Sequence, residues 1–353
     1  MLSTIALDTQ VIQKDLCTGC GACQGMCPYW GSVEGRTICY FDCDRTEGRC
    51  QSFCPKMPTD LEALRAKFFE GSEIIPEIGP FRALYLTQAA DPEIRKNSQH
   101  GGTITALTEF ALKEGFIDSC VMTKSEGGLN ARGELATTAE EIRACSGSSF
   151  QIPPTLAVLN KTLKENKYKK VGVVTTPCKG LAVYKMKSKP LPEKDNNADN
   201  IGIVFGVFCG WGLDWNGLED ICGKYSDVTK LSHMDIPPSK YHRMDLVADG
   251  QEIHVDLDEV EAQVRPACHY CTDMTCEFAD ISVGGARSAD GWDVDKSWNQ
   301  LIVRSAKGEE LVKLAIEKGV LNVKEVPGTA LEKLKKAAAG KRSKAVAKAA
   351  EDK

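Results

Sequence analysis

The stretch CTGCGACQGMCP, Cys17 to Pro28, sets four cysteines at intervals of three, three and four residues and closes them with a proline. A second set follows in CYFDCDRTEGRCQSFCP, where Cys39, Cys43, Cys50 and Cys54 again end on a proline, Pro55. Eight of the chain's 16 cysteines therefore lie between Cys17 and Cys54. Disulfides are one use for so many thiols, but disulfide-rich chains are usually short and carry a secretory signal. This chain has 353 residues, enough for two or three domains with a sizeable core. Its start, MLSTIALDTQVIQKD, lacks the basic opening and sustained apolar run of a signal peptide. Clustered cysteines in a reducing compartment bind metal or carry redox chemistry instead. No apolar run approaches the roughly 20 residues that cross a bilayer, and a net charge of −5 speaks against a nucleic-acid partner. The expectation is a cytoplasmic protein, peripheral at most to a membrane complex.

The spacing C-x2-C-x2-C-x3-C-P is the signature of bacterial-type ferredoxins with [4Fe–4S] cubanes. Three thiolates two residues apart on one curling loop can cap three irons of a single cube. Gly19 and Gly21 let that loop turn tightly. The fourth cysteine sits too far round and ligates the neighbouring cube, with Pro28 redirecting the chain. This logic assigns Cys17, Cys20, Cys23 and Cys54 to a first cluster, and Cys39, Cys43, Cys50 and Cys27 to a second. The second set departs from the usual spacing, and its DRTEGR insertion reads as a surface loop. Zinc is the alternative, but four-thiolate zinc sites come as two C-x2-C pairs with a longer spacer, which fits poorly here.

From about Phe81 the texture changes to apolar runs alternating with helical patterns, the mark of an α/β domain. FRALYLTQAA, DSCVMTK, KKVGVVTTPCKG and IGIVFGVFCGW predict strands. GGTITALTEFALKEGF, TAEEIRACS, PTLAVLNKTLKEN and GEELVKLAIEKGV predict helices, and the Ala/Lys-rich tail a solvated or docking helix. The whole is expected to be α+β, a small two-cluster domain followed by a larger α/β domain.

Four places in the larger domain carry chemistry. SQHGGTIT, Ser98 to Thr105, is a glycine-rich turn opening a helix, a place for an anion or a flat cofactor, or a plain capping turn. CSGSSFQIPP offers Ser146, Ser148 and Ser149 around Gly147 as phosphate donors, or an ordinary loop. Cys178 and Cys209 are expected at strand ends, and with Cys268 and Cys271 of CHYC they could give four thiolates to a third cubane at the edge where such sheets bind cofactors. Cys276 is a rival ligand, Cys145 is undecided, and Cys120 and Cys222 read as small buried hydrophobes. ADISVGGARSADGW is either a hairpin loop or a backbone cradle with Trp292 beside a ring. A GxGxxG nicotinamide fingerprint is absent.

Taken in order, SQHGGTITAL, CSGSSF, TTPCKG, GVFCGW, CHYC, ADISVGG and DGW resemble the beta subunit of coenzyme F420-reducing hydrogenases and its relatives. The relatives include formate dehydrogenase and F420 dehydrogenase subunits and part of some sulfite reductases. The resemblance divides the chain into a two-[4Fe–4S] ferredoxin-like domain (1–75), an FAD and [4Fe–4S] domain (76–330) and a Lys/Ala-rich tail (331–353). It implies FAD against Ser98, Gly101, Gly102 and Thr103, with its phosphates held by Ser146, Ser148 and Ser149. It also implies flavin or substrate contacts from Gly284, Gly285 and Ser288, and a cluster on Cys178, Cys209, Cys268 and Cys271. His100 stands where the family often carries an acidic residue, with proton handling left to it or to solvent. The activity implied is an F420-dependent oxidoreductase: hydride passes between coenzyme F420 and FAD, and electrons pass through three clusters to or from a partner. That partner is a hydrogenase, formate dehydrogenase, heterodisulfide reductase or membrane dehydrogenase type of subunit. Two other readings stand beside it: a flavin oxidoreductase linked to ferredoxin or a partner without F420, and a non-catalytic electron-wiring subunit.

Overall fold

The runs IGIVFGV at 201–207, buried except at its last residue, and NQLIV at 299–303, buried throughout, are strands covered on both faces. The computed structural model describes residues 2–193, 196–237, 241–286 and 291–352, with the side chains of 292 and 293 left aside. Its centre is an eight-stranded mixed sheet. In chain order the strands are β1 (Ala83–Ala89), β2 (Ser119–Ser125), β3 (Ala131–Ala136), β4 (Val171–Thr175), β5 (Ile201–Val207), β6 (Ile281–Gly285), β7 (Asn299–Val303) and β8 (Leu321–Lys324). Across the sheet they run β8-β1-β7-β6-β5-β4-β2-β3. Parallel pairing joins β6 to β5, β5 to β4 and β4 to β2, while β1 lies antiparallel to β7, which lies antiparallel to β6. Five strands therefore point one way and release their chains at one edge.

Helices cover both faces. On one side α1 (Thr103–Lys113) and a later helix, Ala306–Glu317, bury Leu107, Phe110, Leu311 and Val312 against Phe205, Ile281 and Leu301. On the other, α2 (Thr155–Glu165) and α3 (Pro177–Lys187) bury Leu159, Leu163, Val183 and Met186 against Val173 and Val204. The mixture of helix and strand and the large sheet are those expected, with one correction. Cys178 does not end β4. It is the second residue of α3, after Thr176 as N-cap and Pro177 in the first turn.

Between β5 and β6 the chain builds a unit the sequence did not announce. Strands Leu231–Asp235, Arg243–Ala248 and Gln251–Asp256 form an antiparallel sheet. It closes a separate core of Leu218, Ile221, Met244, Leu246 and Val255 with the helix Trp215–Tyr225.

The N-terminal residues fold as short helices, Ser3–Leu7, Arg49–Phe53 and Leu61–Phe68, around the hairpin Trp30–Val33 and Arg36–Cys39. This module is clamped to the sheet domain. Asn160 on α2 donates to the carbonyls of Ala22 (3.0 Å) and Gln24 (2.6 Å), and Arg265 donates to those of Cys17 and Gly35. At Gly25, with φ +86°, a Cβ would stand 2.3 Å from the carbonyl oxygen of Ala157, so only glycine permits this approach.

The C-terminal helix Ala330–Glu351 is not merely solvated. Leu334 and Ala338 are buried against Ile75, Ile78, Met274 and Ile302. Among the described residues no helix is long and apolar enough to cross a membrane.

One fully buried cation ties these parts together. Arg304, just past β7, donates to Ser282 Oγ (2.7 Å), to the carbonyls of Ile78 and Pro80 (both 2.7 Å), and to both oxygens of Thr275 (2.9 Å). Arg304→Met should destabilise the protein by about 3–5 kcal/mol, since it strands several buried acceptors at once. The midpoint of urea unfolding, followed by far-UV circular dichroism, checks this.

Candidate functional site

Because five strands end at one edge, the loops after them converge there. They enclose a cavity of about 350 Å3. Ser98, His100, Gly102 and Thr103 line it from the loop after β1, and Ser146, Gly147, Ser148 and Ser149 from the loop before α2. Gly284 and Gly285 line it from β6, and Cys209 from the loop after β5. Gly101 is not among the lining residues; a Cβ there would meet Asn299 Oδ1 at 2.8 Å and the Ser297 carbonyl at 3.0 Å. Ser288 lies outside the described residues, as does the side chain of Trp292.

The local chemistry of the loops explains their placement. Gly102 takes φ +74°, turning the chain into α1 with no side-chain cap, so that helix starts at the cavity wall. Thr105 on its first turn shares a 3.3 Å hydrogen bond with Ser146. A Cβ on Gly284 would fall 2.0 Å from the Phe208 ring, so the bare backbone of β6 is needed where that ring crosses it. Gln151, also on the wall, has a buried Oε1 with no hydrogen-bond partner in the protein. Hydroxyls, a helix start and an unsatisfied buried acceptor suit a polar, anionic, partly flat ligand such as a flavin nucleotide.

Beside the cavity the thiols gather. After burial, the groups acting on the Cys209 thiol are Lys341, Cys268, Cys178 and Cys271, so these cysteines share one neighbourhood. Cys178 at the start of α3 meets the partial positive charge of a helix N-terminus, which favours a ligating thiolate. Cys268 Sγ accepts from Gly212 N–H at 3.3 Å. Cys276 is fully buried, with its sulfur 3.5 Å from Thr175 Oγ1 on the cavity side and Cys178 among the groups that act on it. Cys120 and Cys222 are fully buried among hydrophobic side chains. Cys145 lines the cavity, where burial pushes its thiol up to about 11.

In the N-terminal module Cys17, Cys20, Cys23 and Cys54 line one small cavity together. Burial pushes Cys20 up to about 12, with the nearby thiols of Cys178 and Cys54 adding to it. Cys178 and Cys20 are thus neighbours across the two modules. Cys50 interacts electrostatically with Cys27 and with Cys39. One helical turn serves this second group: Ser3 Oγ lies 3.2 Å from Cys50 Sγ, and Thr4 Oγ1 accepts from the N–H of Cys43 at 3.0 Å.

The spread of the sulfurs bears on the metal. Among the described residues no three cysteine sulfurs lie within 4.8 Å of one another. A tetrahedral zinc would draw four thiolates to roughly 3.8 Å apart, whereas a cubane binds each thiolate to a different iron and spaces them wider. Cys17, Cys20, Cys23 and Cys54 gather in one place and Cys178, Cys209, Cys268 and Cys271 in another, as four-thiolate ligation of a cluster requires.

Sequence reasoning missed three lysines and a glutamine. Lys185 Nζ donates to Cys54 O (2.6 Å) and Thr59 Oγ1 (2.7 Å), and Lys179 Nζ to Thr155 Oγ1 (2.8 Å). Lys341 Nζ donates to the carbonyls of Cys209 and Asp273, both at 2.8 Å. Its signal was present in the tail as a helical stripe, with Leu334, Ala338, Lys341 and Ala345 recurring on one face. Gln99 donates to Asp235 Oδ1 (2.6 Å) and to the carbonyl of Met234, and so holds the cavity loop against the inserted sheet.

The family model described as coenzyme F420 hydrogenase/dehydrogenase, beta subunit N-term, matches residues 84–160, and its C terminus counterpart matches 168–328. The chain belongs to the family of coenzyme F420 hydrogenase/dehydrogenase beta subunits. A 4Fe-4S binding domain model matches residues 11–29. Among this family's members, the coenzyme F420 hydrogenase subunit beta of Methanococcus voltae is 30% identical over 251 residues, covering 70% of this chain and 86% of its own length. A component of the F(420)H(2) dehydrogenase of Methanosarcina mazei is 23% identical over 343 residues, covering 92% of this chain and 88% of its own length. A chain of the F420-reducing [NiFe] hydrogenase complex from Methanosarcina barkeri superposes with a TM-score of 0.72 at 25% identity, covering 79% of this chain and 94% of that one.

Burial holds the His100 imidazole below its ordinary 6.5, against the pull of Asp235 in the other direction. The unfolded chain therefore binds the proton more tightly than the folded one. The stability that this group contributes is present above about pH 6.5 and is lost as pH falls through the folded value. Asp235→Asn removes the group that favours the protonated ring, so it should lower the His100 midpoint further. Titration of the histidine ring protons by NMR in the two proteins checks the sign.

Proposed function

We propose that this chain is the F420-linked subunit of a redox complex, holding FAD in the cavity at the sheet edge and three [4Fe–4S] clusters on its cysteines. The observation that carries the reading is the continuity of the site: Cys209 lines the cavity and stands among Cys178, Cys268 and Cys271, and Cys178 in turn neighbours Cys20. A flavin bound there supplies the conversion between hydride and single electrons. The clusters are assigned as Cys178, Cys209, Cys268 and Cys271, then Cys17, Cys20, Cys23 and Cys54, then Cys27, Cys39, Cys43 and Cys50.

The chain's own residues do the positioning. Gly102, Thr103 and the turn before them form the wall at the start of α1, and Ser146, Ser148 and Ser149 present hydroxyls to a phosphate. Gly284 and Gly285 allow a ring system to lie close to β6. His100, neutral at pH 7, is a proton acceptor at the same wall. The Phe208 ring lines the cavity, and Gln99 ties the loop after β1 to the inserted sheet. The oxidoreductase role belongs to the subunit together with a partner, as the relatives named for hydrogenase and dehydrogenase complexes suggest.

The test is an anaerobic mixture of iron- and FAD-reconstituted protein with reduced coenzyme F420 and a viologen acceptor. The expected result is the return of the oxidised deazaflavin absorbance, with no comparable reaction from NADH or reduced ferredoxin. The reconstituted protein should carry about 12 iron atoms per chain. Inert F420 despite bound FAD would overturn the assignment of substrate.

A further inference from the structure

The C-terminal helix Ala330–Glu351 ends the chain far in sequence from every cysteine, yet it is packed into the flavin-side thiol group. Leu334 and Ala338 fix it against Met274, Ile302 and Ile78, and Tyr270 of the CHYC turn meets Asp352 at its end. Arg342 donates to the carbonyl of Pro76 from the same helix. Between these anchors Lys341 is half-buried and turns its ammonium inward. It donates to the carbonyls of Cys209 and Asp273, both at 2.8 Å, so it bridges two of the loops that carry the thiols. The Asp273 carboxylate accepts from the N–H groups of Thr275 and Glu277 at 2.9 Å, and its charge also acts on Lys341, behind the thiols of Cys271 and Cys209. Lys341 therefore reaches the site as a positive charge anchored by two carbonyls, with the thiols of Cys271 and Cys209 as its foremost charged neighbours and the Asp273 carboxylate after them.

We propose that Lys341 is a fixed counter-charge that raises the reduction potential of the cluster on Cys178, Cys209, Cys268 and Cys271. This rests on the cluster assignment above. Reduction adds one electron to an iron–sulfur cluster and breaks no bond. With four thiolates the cluster is negatively charged in both states and more so when reduced. A cation a few ångströms away stabilises the reduced state more than the oxidised one. In surroundings of intermediate polarity the effect is roughly ten- to hundredfold in the reduction equilibrium. The placement matters for direction, because this cluster stands next to the cavity. Raising its potential favours electrons leaving the cavity for the protein's interior.

The experiment is an EPR-monitored redox titration of the reconstituted full chain, with mediators and no F420. Three variants are compared with the parent: Lys341→Met, Lys341→Gln, which keeps a hydrogen-bond donor without the charge, and Lys341→Arg. In both neutral variants one reduction wave should move to more negative potential by an amount equal to roughly ten- to hundredfold in equilibrium, with the other waves and the iron content unchanged. Lys341→Arg should keep the wave near its original place. Unchanged waves in the neutral variants at full iron content would overturn the proposal. So would loss of that cluster's iron in both neutral variants, since the lysine would then be a strut. Absence of any [4Fe–4S] signal from the parent protein would instead overturn the cluster reading itself, and the two failures are told apart by that control.

Discussion

The arrangement rests on one geometric constraint: a sheet in which most strands point the same way must release its chain repeatedly at the same edge. β1, β4, β5 and β6 each leave a loop there, and each loop brings a different chemistry. The loop after β1 brings glycines and a histidine, β4 leads into Cys178, β5 leads into Cys209, and β6 brings bare backbone. No single loop is distinctive. Their superposition at one edge turns weak local signals into a site.

Helix α3 extends this site to the second module. Its first turn carries Cys178 and Lys179, and its last turn carries Lys185, which holds the carbonyl of Cys54. Two thiol groups are thus built against the two ends of one short rigid rod. Arg304 serves the same edge from behind, binding the segments at Ile78, Pro80, Thr275 and Ser282 into one block. Burying an ammonium or guanidinium among neutral acceptors costs several kcal/mol unless the surroundings return it. The fold places three such lysines where thiolates collect.

Much of this was legible in the chain. The cysteine spacing states its own ligand geometry, because thiolates two residues apart on a turn can reach only so far. The buried strands were visible as unbroken apolar runs, and the helices of the sheet domain by their period. What was not legible came from tertiary partners. Cys178 was expected at the end of a strand, but Thr176 and Pro177 are an N-cap and a first-turn proline, and they start a helix at once. The inserted sheet at 231–256 has short strands with many exposed residues, so its alternation is weak in sequence. Lys341 sat inside an Ala/Lys-rich stretch whose charged side chains mask the one that turns inward. The place of Cys276, buried beside Thr175 and within reach of the Cys178 charge, is likewise set by tertiary packing and not by spacing.

The seam between the two modules leaves little freedom. Gly25 lies so close to Ala157 that no side chain fits, Asn160 holds two carbonyls of the cysteine loop, and Arg265 grips two more. The cysteine-rich module is therefore no swinging arm that carries its load from one station to another. It is a soldered joint, and whatever crosses from Cys178 to Cys20 crosses a gap whose width is a constant of the fold.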